Sequence, residues 1–533
     1  MFRTRPGNDR VCFPCRLILI WGLALAGPGA FGQESRPLPG PEQLVRDLAH
    51  SDPLVRLSAA RMLGDLAETG RLAGLSPRNK AEPAFLREVA AAELARLLED
   101  EDSGVQRESI VALSKVRAPG RVALTAMTRA LTSSRPELRL AVADALPGYV
   151  NRSREIDRPI SGMDELVHLE QWLDDVAELA PVFQAGLSSE DSALRGATLQ
   201  ALSGLFMTLH AMPEVSGRNV DPLVVDDETQ SRVQQKVVAV VEATRGIFPL
   251  LARIVREADR GHRRDAMGVI EKAAQTCDLR PDPVERREQG VSRPRERVPR
   301  PRGRLLWGDL DMAGSAGVES LREGLRQTVP ALVACLRSPH EELHLAALEA
   351  LEVLGPVARD AASVVRESLD HRRPFVRWAA CRTLAAIGPT GEDAQTIEAL
   401  ARTIADPDLD VAAAACRALA DSFPRQAQPA LPALGNALLS QERQLQHAAV
   451  QALEPIAREL AGEARSLVPA LTQVLNSADE KTRQGVPVIL GHLGRDAAPA
   501  VPALQRALHD PNPTVRVQAA EALLRIRTAT PQQ

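Results

Sequence analysis

The fold is decided by a nine-residue segment near the C-terminus, Val515-Arg516-Val517-Gln518-Ala519-Ala520-Glu521-Ala522-Leu523. An apolar residue opens it, arginine follows, and leucine stands at +8 after small residues at +4 and +5. Successive copies in the C-terminal half start 33, 35, 34, 37 and 33 residues apart, a period typical of helical repeats. A degenerate copy starts near His262. Nine further copies, all with leucine at +8, start at Val55, Val105, Leu138, Leu194, Leu343, Val376, Val411, Leu445 and Thr482.

A second signature, apolar-Pro-Ala-Leu, precedes four of these copies at one constant offset, as Val501 precedes Val515. Proline is tolerated in the first turn of a helix, so the motif predicts the start of a first helix, A. Between the motif and the copy, Asp406-Pro407, Asp510-Pro511 and Asn512-Pro513 provide capping residues and a proline for the start of a second helix, B. Each unit is therefore predicted to be an antiparallel helix pair. The four motifs begin at Val329, Leu431, Val468 and Val501.

The Asp-Pro turn followed by Val-Arg and an Ala-Ala-x-Ala-Leu run resembles the HEAT repeat, particularly the short bacterial variety found in phycobilin lyases. The resemblance covers most of residues 41–528. It implies an all-α, right-handed α-solenoid whose B helices line a concave surface. One helix pair cannot bury its own apolar face, so the units must stack.

The resemblance also implies a ladder between repeats, in which an arginine of helix B pairs with an aspartate of a turn. Gln106, His344, Ala412 and Gln446 depart from the arginine, and the ladder is not expected to continue there. The residues that match the ladder arginine are Arg56, Arg139, Arg195, Arg377, Arg483 and Arg516.

Two segments are expected to interrupt the array. Residues 205–246 include a turn-rich polar stretch with Ser216, Gly217, Asp221, Asp226 and Asp227, and residues 280–319 open with an Arg/Pro-rich run. The predicted organisation is a short linker at 33–40, an irregular array at 41–279, a linker or loop at 280–319, a regular array of six repeats at 320–528 and a tail at 529–533.

Residues 1–32 have the features of a signal peptide. Arginines precede an apolar run from Leu17 to Leu25, and Ala30-Phe31-Gly32 places small residues where a signal peptidase reads, which predicts cleavage before Gln33. The run is short for a membrane span, which needs about 20 residues. We expect a protein exported to the periplasm or secreted; an uncleaved N-terminal membrane tether is the alternative.

The charge balance gives no indication of a nucleic acid partner. The chain has 65 basic and 69 acidic residues, and export argues further against a genomic target. The run from Arg280 to Arg304 has nine arginines against four acidic residues and could contact an anionic envelope surface, although a solvated loop explains it as well.

His340-Glu341-Glu342-Leu343-His344 matches the HExxH pattern of zinc proteases. Aligned to the repeat, His340 falls in the turn between the helices and His344 replaces the ladder arginine. We therefore expect neither a zinc site nor any other metal. No nucleophile elbow, phosphate loop, dinucleotide motif or calcium loop is present, so no catalytic residue and no cofactor is predicted.

The cysteines show no metal or haem spacing, and Cys12 and Cys15 lie in the predicted signal peptide. Cys381 and Cys416 share position +5 of adjacent repeats. Neighbouring helix axes are about 8 to 10 Å apart, beyond the usual Cα distance of a disulfide, so free thiols are favoured over a bridge.

The binding surface follows from helical phase. Positions 0, +4 and +8 form the core stripe, whereas +2 and +6 point toward the exposed face of helix B. Pro487 lies within a B helix and is expected to kink it. The residues predicted to bind a partner are Trp378, Leu345 and His447 at +2, and Arg382 and Arg417 at +6.

These features predict a non-catalytic, exported scaffold that binds a protein on its concave B-helix surface. Two alternatives stay open: an enzyme of the lyase or glycosylase type that uses the same surface, and an envelope tether that uses the Arg-rich loop.

Overall fold

The computed structural model of the protein describes residues 39–72, 89–150, 163–218, 227–276, 316–391, 393–477 and 479–528. Every regular element in these ranges is a helix. The predicted signal peptide, the run at 280–304 and the predicted tail lie outside the described residues. In the N-terminal part the α-helices are α1 (Pro41–Asp47), α2 (Pro53–Leu72), α3 (Ala91–Arg96), α4 (Ser103–Val116), α5 (Gly120–Thr132), α6 (Pro136–Val150), α7 (Met163–Glu178), α8 (Ala180–Ser188), α9 (Ser192–Arg218), α10 (Asp227–Thr244), α11 (Phe248–Glu257) and α12 (Arg260–Thr276).

The C-terminal part continues the same alternation, with short 3₁₀ turns before or after several A helices. Its α-helices are α13 (Ala316–Arg326), α14 (Val329–Leu336), α15 (Glu341–Leu354), α16 (Ala362–Glu367), α17 (Pro374–Ile387), α18 (Asp393–Thr403), α19 (Leu409–Ser422), α20 (Leu431–Leu438), α21 (Arg443–Glu459), α22 (Ala461–Ala464), α23 (Val468–Val474), α24 (Glu480–Leu493), α25 (Val501–Ala507) and α26 (Pro513–Thr528).

The helices stack into an all-α solenoid, as the repeats predict. The B helices form one continuous layer, because each packs against the next in the order α2, α4, α6, α9, α12, α15, α17, α19, α21, α24 and α26. The A helices form a second layer beside it. Helix α12 packs on α15 and α11 on α14, so the stack runs unbroken across the gap between residues 276 and 316.

The repeat register sets where each B helix begins. Every B helix starts two residues before the first position of its sequence copy, for example at Pro374 before Val376. At position −3 an aspartate or asparagine often accepts backbone N–H bonds, as Asp102 does from Val105 at 3.0 Å and Asp408 from Val411 at 3.2 Å. Helix α19 therefore begins at Leu409 after the Asp408 cap, two residues later than Pro407 suggested.

The predicted start of helix A is confirmed at all four apolar-Pro-Ala-Leu motifs. Helices α14, α20, α23 and α25 begin at the first motif residue, and the proline occupies the first turn. Several B helices end on a glycine with positive φ, such as Gly388 at +72°, where a β-carbon would strain the backbone.

The core is the stripe at 0, +4 and +8. Leucine at +8 is at most 1% exposed in the nine copies before the last, as in Leu202 and Leu384. Leu523 in α26 is only half-buried, because α26 has a B-helix neighbour on one side alone within the described residues. Burying such leucines is the main stabilising term of a stack in which no single pair has a closed core.

The segment 205–246 is more helical than expected. Ser216 and Gly217 lie in α9, and Asp227 begins α10; Asp221 and Asp226 lie outside the described residues. Helices α7, α10 and α13 form a third layer that packs on α5, α8 and α11 of the A layer. Helix α13 begins at Ala316, inside the predicted linker. No helix in the described ranges is long and apolar enough to cross a membrane.

Candidate protein-binding surface

Adjacent repeats are fastened at one recurrent position, which we call the repeat joint: residue +1 of one B helix and residue −5 of the next repeat. In three joints an arginine and an aspartate fill these positions. Arg377 donates to Asp406 from Nε at 2.6 Å and from a terminal nitrogen at 2.7 Å. The two side chains are only 13% and 8% exposed. The other two are Arg56 with Asp100 and Arg483 with Asp510.

Each of these arginines also closes its own turn. Arg377 donates to the carbonyl of His371 at 2.9 Å, and Arg483 donates to that of Ser477 at 2.8 Å. The arginine therefore ties the turn of its own repeat to the turn of the next. The hydrogen bond from Arg56 lowers the pKa of Asp100.

Among the described residues, the other arginines that match the ladder make no hydrogen bond to the next repeat. Arg139 donates to Ser133 of its own turn at 2.8 Å, and Arg516 donates to the carbonyls of Asp510 and Pro511 in its own turn. The Nε of Arg195 is buried and has no hydrogen-bond partner among the described residues.

As expected, no arginine–aspartate pair forms at His344 or Gln446, but other side chains make contact at the same two positions. The Oε1 of Gln446 accepts from Ser477 at 3.0 Å, so a glutamine and a serine replace the arginine and the aspartate. The ring of His344 lies against that of His371, with centroids 5.2 Å apart. Gln106 closes its own turn and accepts from Arg135 at 3.2 Å. Ala412 has only a buried methyl group, which cannot form a hydrogen bond to the next repeat.

Sequence reasoning missed Arg263, which is +1 of the degenerate copy. It donates to the carbonyl of Val255 at 2.7 Å and contacts the Sγ of Cys335 at 3.1 Å, so it joins the two arrays. The register of the copy at His262 was the signal that could have found it.

Three side chains of α17 form the most distinctive feature of the B-helix surface. Phe375 and Trp378 are stacked, with ring centroids 5.3 Å apart and planes 15° from parallel. The guanidinium carbon of Arg382 lies 4.6 Å from the centre of the Trp378 ring, a cation–π arrangement. The positions share one helix face because they are three and four residues apart. We call these three residues the aromatic cluster.

The cluster is held in place by its neighbours. Arg382 also pairs with Glu352 of α15, and Arg373, at the start of α17, lies 3.2 Å from Glu341. Trp378 is half-buried, whereas Phe375 is 55% exposed. Phe375 was missed by the sequence analysis, although an aromatic residue three positions before Trp378 was the available signal.

The remaining predicted binding residues lie on neighbouring B helices. Leu345 is half-buried on α15, Arg417 is exposed on α19, and His447 is half-buried on α21 with an Nδ1 that lacks a hydrogen-bond partner in the described part of the chain. Position +2 is not always at the surface, because Ala413 is only 3% exposed. Its side chain is too short to emerge between larger neighbours.

The HExxH match is explained by the repeat. His340 is the residue before helix α15 and His344 lies in a joint, with its Nε2 3.0 Å from Ser368 Oγ. In the described ranges no three His, Cys, Asp or Glu side chains come together as a metal site would require.

The shifted carboxylates and thiols belong to the framework. A hydrogen bond from His262 lowers the pKa of Asp259 to about 2, and Asp259 also accepts the N–H of Gly261 as a cap of α12. Cys381 and Cys416 are free and buried, and burial raises the pKa of each thiol to about 12, as for an inert core residue. Pro487 is buried within α24, which is continuous from Glu480 to Leu493.

Three solved structures match parts of this chain. Among solved structures, an engineered protein is 25% identical with a TM-score of 0.33, over 38% of this chain and 96% of its own. Kap121p is 15% identical with a TM-score of 0.33, over 91% and 53%. A designed armadillo repeat protein in complex with the peptide (KR)4 is 16% identical with a TM-score of 0.32, over 59% and 99%.

No curated protein matches the sequence significantly. The family model described as HEAT repeats matches residues 329–420 and 468–533. These residues contain the Arg377–Asp406 and Arg483–Asp510 joints and the aromatic cluster. The match identifies HEAT repeats in the chain at these residues and supports its assignment to the HEAT-repeat family.

Proposed function

We propose that this chain is an exported, non-catalytic scaffold that binds a protein partner on its B-helix surface, centred on the aromatic cluster of α17. Repeat proteins of this kind generally bind proteins, which is the coarser basis for the proposal. The observation that carries it is the stacked pair of Phe375 and Trp378 beside Arg382. Tryptophan and arginine are the residue types that dominate the binding energy of protein interfaces.

The geometry of the cluster supports an interface in a second way. Because Arg382 is held both by Glu352 and by the Trp378 ring, its position is fixed before a partner binds. A fixed side chain loses less conformational entropy on association. Phe375 offers an exposed apolar ring beside this fixed charge. The ring provides apolar area for a partner to bury, and the charge orients the partner.

Crosslinking followed by affinity capture from the native envelope fraction tests the proposal. The variant Trp378→Ala with Arg382→Ala removes two of the three side chains of the cluster and leaves Phe375. Its matched control, Leu439→Ala with Arg402→Ala, removes an exposed apolar side chain and an exposed arginine from the A-helix side. We expect a stoichiometric partner with the wild type and the control, and loss of at least tenfold with the cluster variant.

Equal recovery with the cluster variant would place binding elsewhere. Failure to recover any protein with the wild type would contradict the scaffold and favour a small-molecule or enzymatic use of the surface. The export part is tested separately by the N-terminus of the mature protein: a start at Gln33 supports cleavage, whereas an intact N-terminus supports a membrane tether or a chain that is not exported.

A further inference from the structure

The joint between α15 and α17 differs chemically from the others. Histidine occupies both positions, His344 at +1 and His371 at −5, with ring centroids 5.2 Å apart. His344 is only 6% exposed. Its Nε2 lies at hydrogen-bond distance, 3.0 Å, from Ser368 Oγ in the turn before α17.

The proton positions in this joint are restricted. The backbone N–H of Arg373 donates to Nδ1 of His371 at 3.2 Å, so this nitrogen carries no proton. A second proton on the His371 ring would fall on that nitrogen and break the bond. A second proton on His344 would place a positive charge in a buried site beside the other ring.

The charged groups around His344 do little to stabilise a positive charge on its ring. Burial lowers the pKa of His344, and so does His371, whereas Glu341 one turn earlier raises it. The Glu341 carboxylate is already shared with Arg373 at 3.2 Å. Helices α12 and α14 also pack on α15, and within the described residues neither contributes an ionisable group that shifts this histidine.

The other joints differ from this one in their titratable groups. Arg377 with Asp406 and Arg483 with Asp510 each pair a guanidinium with a carboxylate, two group types whose ordinary pKa values lie outside the range from 5 to 8, and Gln446 with Ser477 has no titratable group. Of the joints formed by described residues, the one between α15 and α17 has imidazoles on both sides. Imidazole is the side chain whose charge changes in this pH range.

We propose that the α15–α17 joint is a pH-responsive contact between repeats, closed when His344 is neutral and opened when His344 is protonated in mildly acidic solution. The two repeats would then lose this contact, while the Arg382–Glu352 and Arg373–Glu341 pairs between them and the joints on either side are kept. This inference concerns the stack itself and does not rest on the proposed partner binding.

Proton linkage gives the direction of the pH dependence of joint opening. The pKa of His344 lies below its usual value of about 6.5 when the joint is closed, so the open state binds more protons once the pH falls below that value. The population of the open state should therefore rise by up to about tenfold for each pH unit below 6.5, until the pH reaches the pKa of the closed state.

Hydrogen exchange followed by mass spectrometry on the full chain tests this at pH 7.5, 6.5 and 5.5, with intrinsic exchange rates corrected for pH. Peptides from α15 and α17 should exchange about tenfold faster at pH 5.5 than at 7.5. Peptides from α4 and α6, neighbouring B helices that contain no histidine, serve as the internal control and should change less than twofold.

The matched variant His344→Gln with His371→Ser copies the Gln446 and Ser477 pair and should abolish the pH response at α15 and α17. Should this variant fail to fold, His344→Arg with His371→Asp copies the arginine joint and gives the same expectation. The proposal is overturned if wild-type exchange at α15 and α17 follows the control peptides, or if either folded variant keeps the full response.

Discussion

The segment from α5 to α11 and the C-terminal part from α15 onward hold their repeats together in different ways. From α5 to α11 the A helices carry a third layer, formed by α7, α10 and α13, and within the described residues the joints at Arg139 and Arg195 do not bridge to the next repeat. From α15 onward there are two layers, and side-chain joints fasten most neighbours. A stack can therefore be held by side-chain joints or by additional packed helices.

The apolar core is common to both parts, and its loss should be the largest effect. Leu202 in α9 and Leu384 in α17 both occupy +8 and are at most 1% exposed. We expect Leu202→Ala and Leu384→Ala each to lower the free energy of unfolding by about 2–5 kcal/mol, measured by urea denaturation. A marked difference between the two would show that the core itself differs between the parts.

Removing the arginine at position +1 should lower the free energy of unfolding by different amounts in the two parts. Arg377→Ala leaves the Asp406 carboxylate buried without its partner and should cost about 2–3 kcal/mol, whereas Arg139→Ala removes a single bond to Ser133 and should cost about 1 kcal/mol. Urea denaturation of both variants provides the comparison. Equal costs would mean that the bridging bonds add nothing to stacking.

Acid should open the arginine joints selectively. Because the pKa of Asp100 is lowered in the folded chain by Arg56, this joint stabilises the fold above the ordinary carboxyl pKa and loses that contribution as the pH falls through the lowered value. Below pH 4, exchange should rise at the Arg56–Asp100 joint more than in α6, where, among the described residues, Arg139 bonds only to its own turn. A uniform rise along the chain would contradict this.

The smallest effect is expected at the aromatic cluster. Phe375 is 55% exposed, so Phe375→Ala should change stability by less than about 0.5 kcal/mol while weakening partner capture. Thermal unfolding and the capture experiment on the same preparation check both parts. A large loss of stability would mean that Phe375 is a packing residue.

Much of the fold could be predicted because the repeat is periodic. The constant offset between the apolar-Pro-Ala-Leu motif and the copy located four A helices, and the copies located each B helix to within half a turn. The third layer could not be predicted in this way, because α7 and α10 have no copy elsewhere in the chain. The polar residues around Gly217 favoured a turn, yet Ser216 and Gly217 continue α9.

The candidate site was predictable only in part. Helical phase placed Trp378 and Arg382 on one face of α17, and the structure brings them into contact. Helical phase did not indicate that Phe375 stacks on Trp378, because phase predicts the direction in which a side chain points and not which side chains touch. Likewise, the substitution of arginine by histidine or glutamine suggested an interruption, since the compensating change at −5 belongs to the next repeat and is distant along the chain.

The central claim is that residues +1 and −5 act as a pair to fasten one repeat to the next. The most direct test is to rebuild an arginine joint where the chain has a neutral one, with Gln446→Arg, Ser477→Asp and the two combined, by urea denaturation. We predict that each single change destabilises the protein by leaving a charge in a part-buried joint, and that the double variant recovers about 1–3 kcal/mol relative to the sum of the two. Strictly additive effects would contradict the pairing.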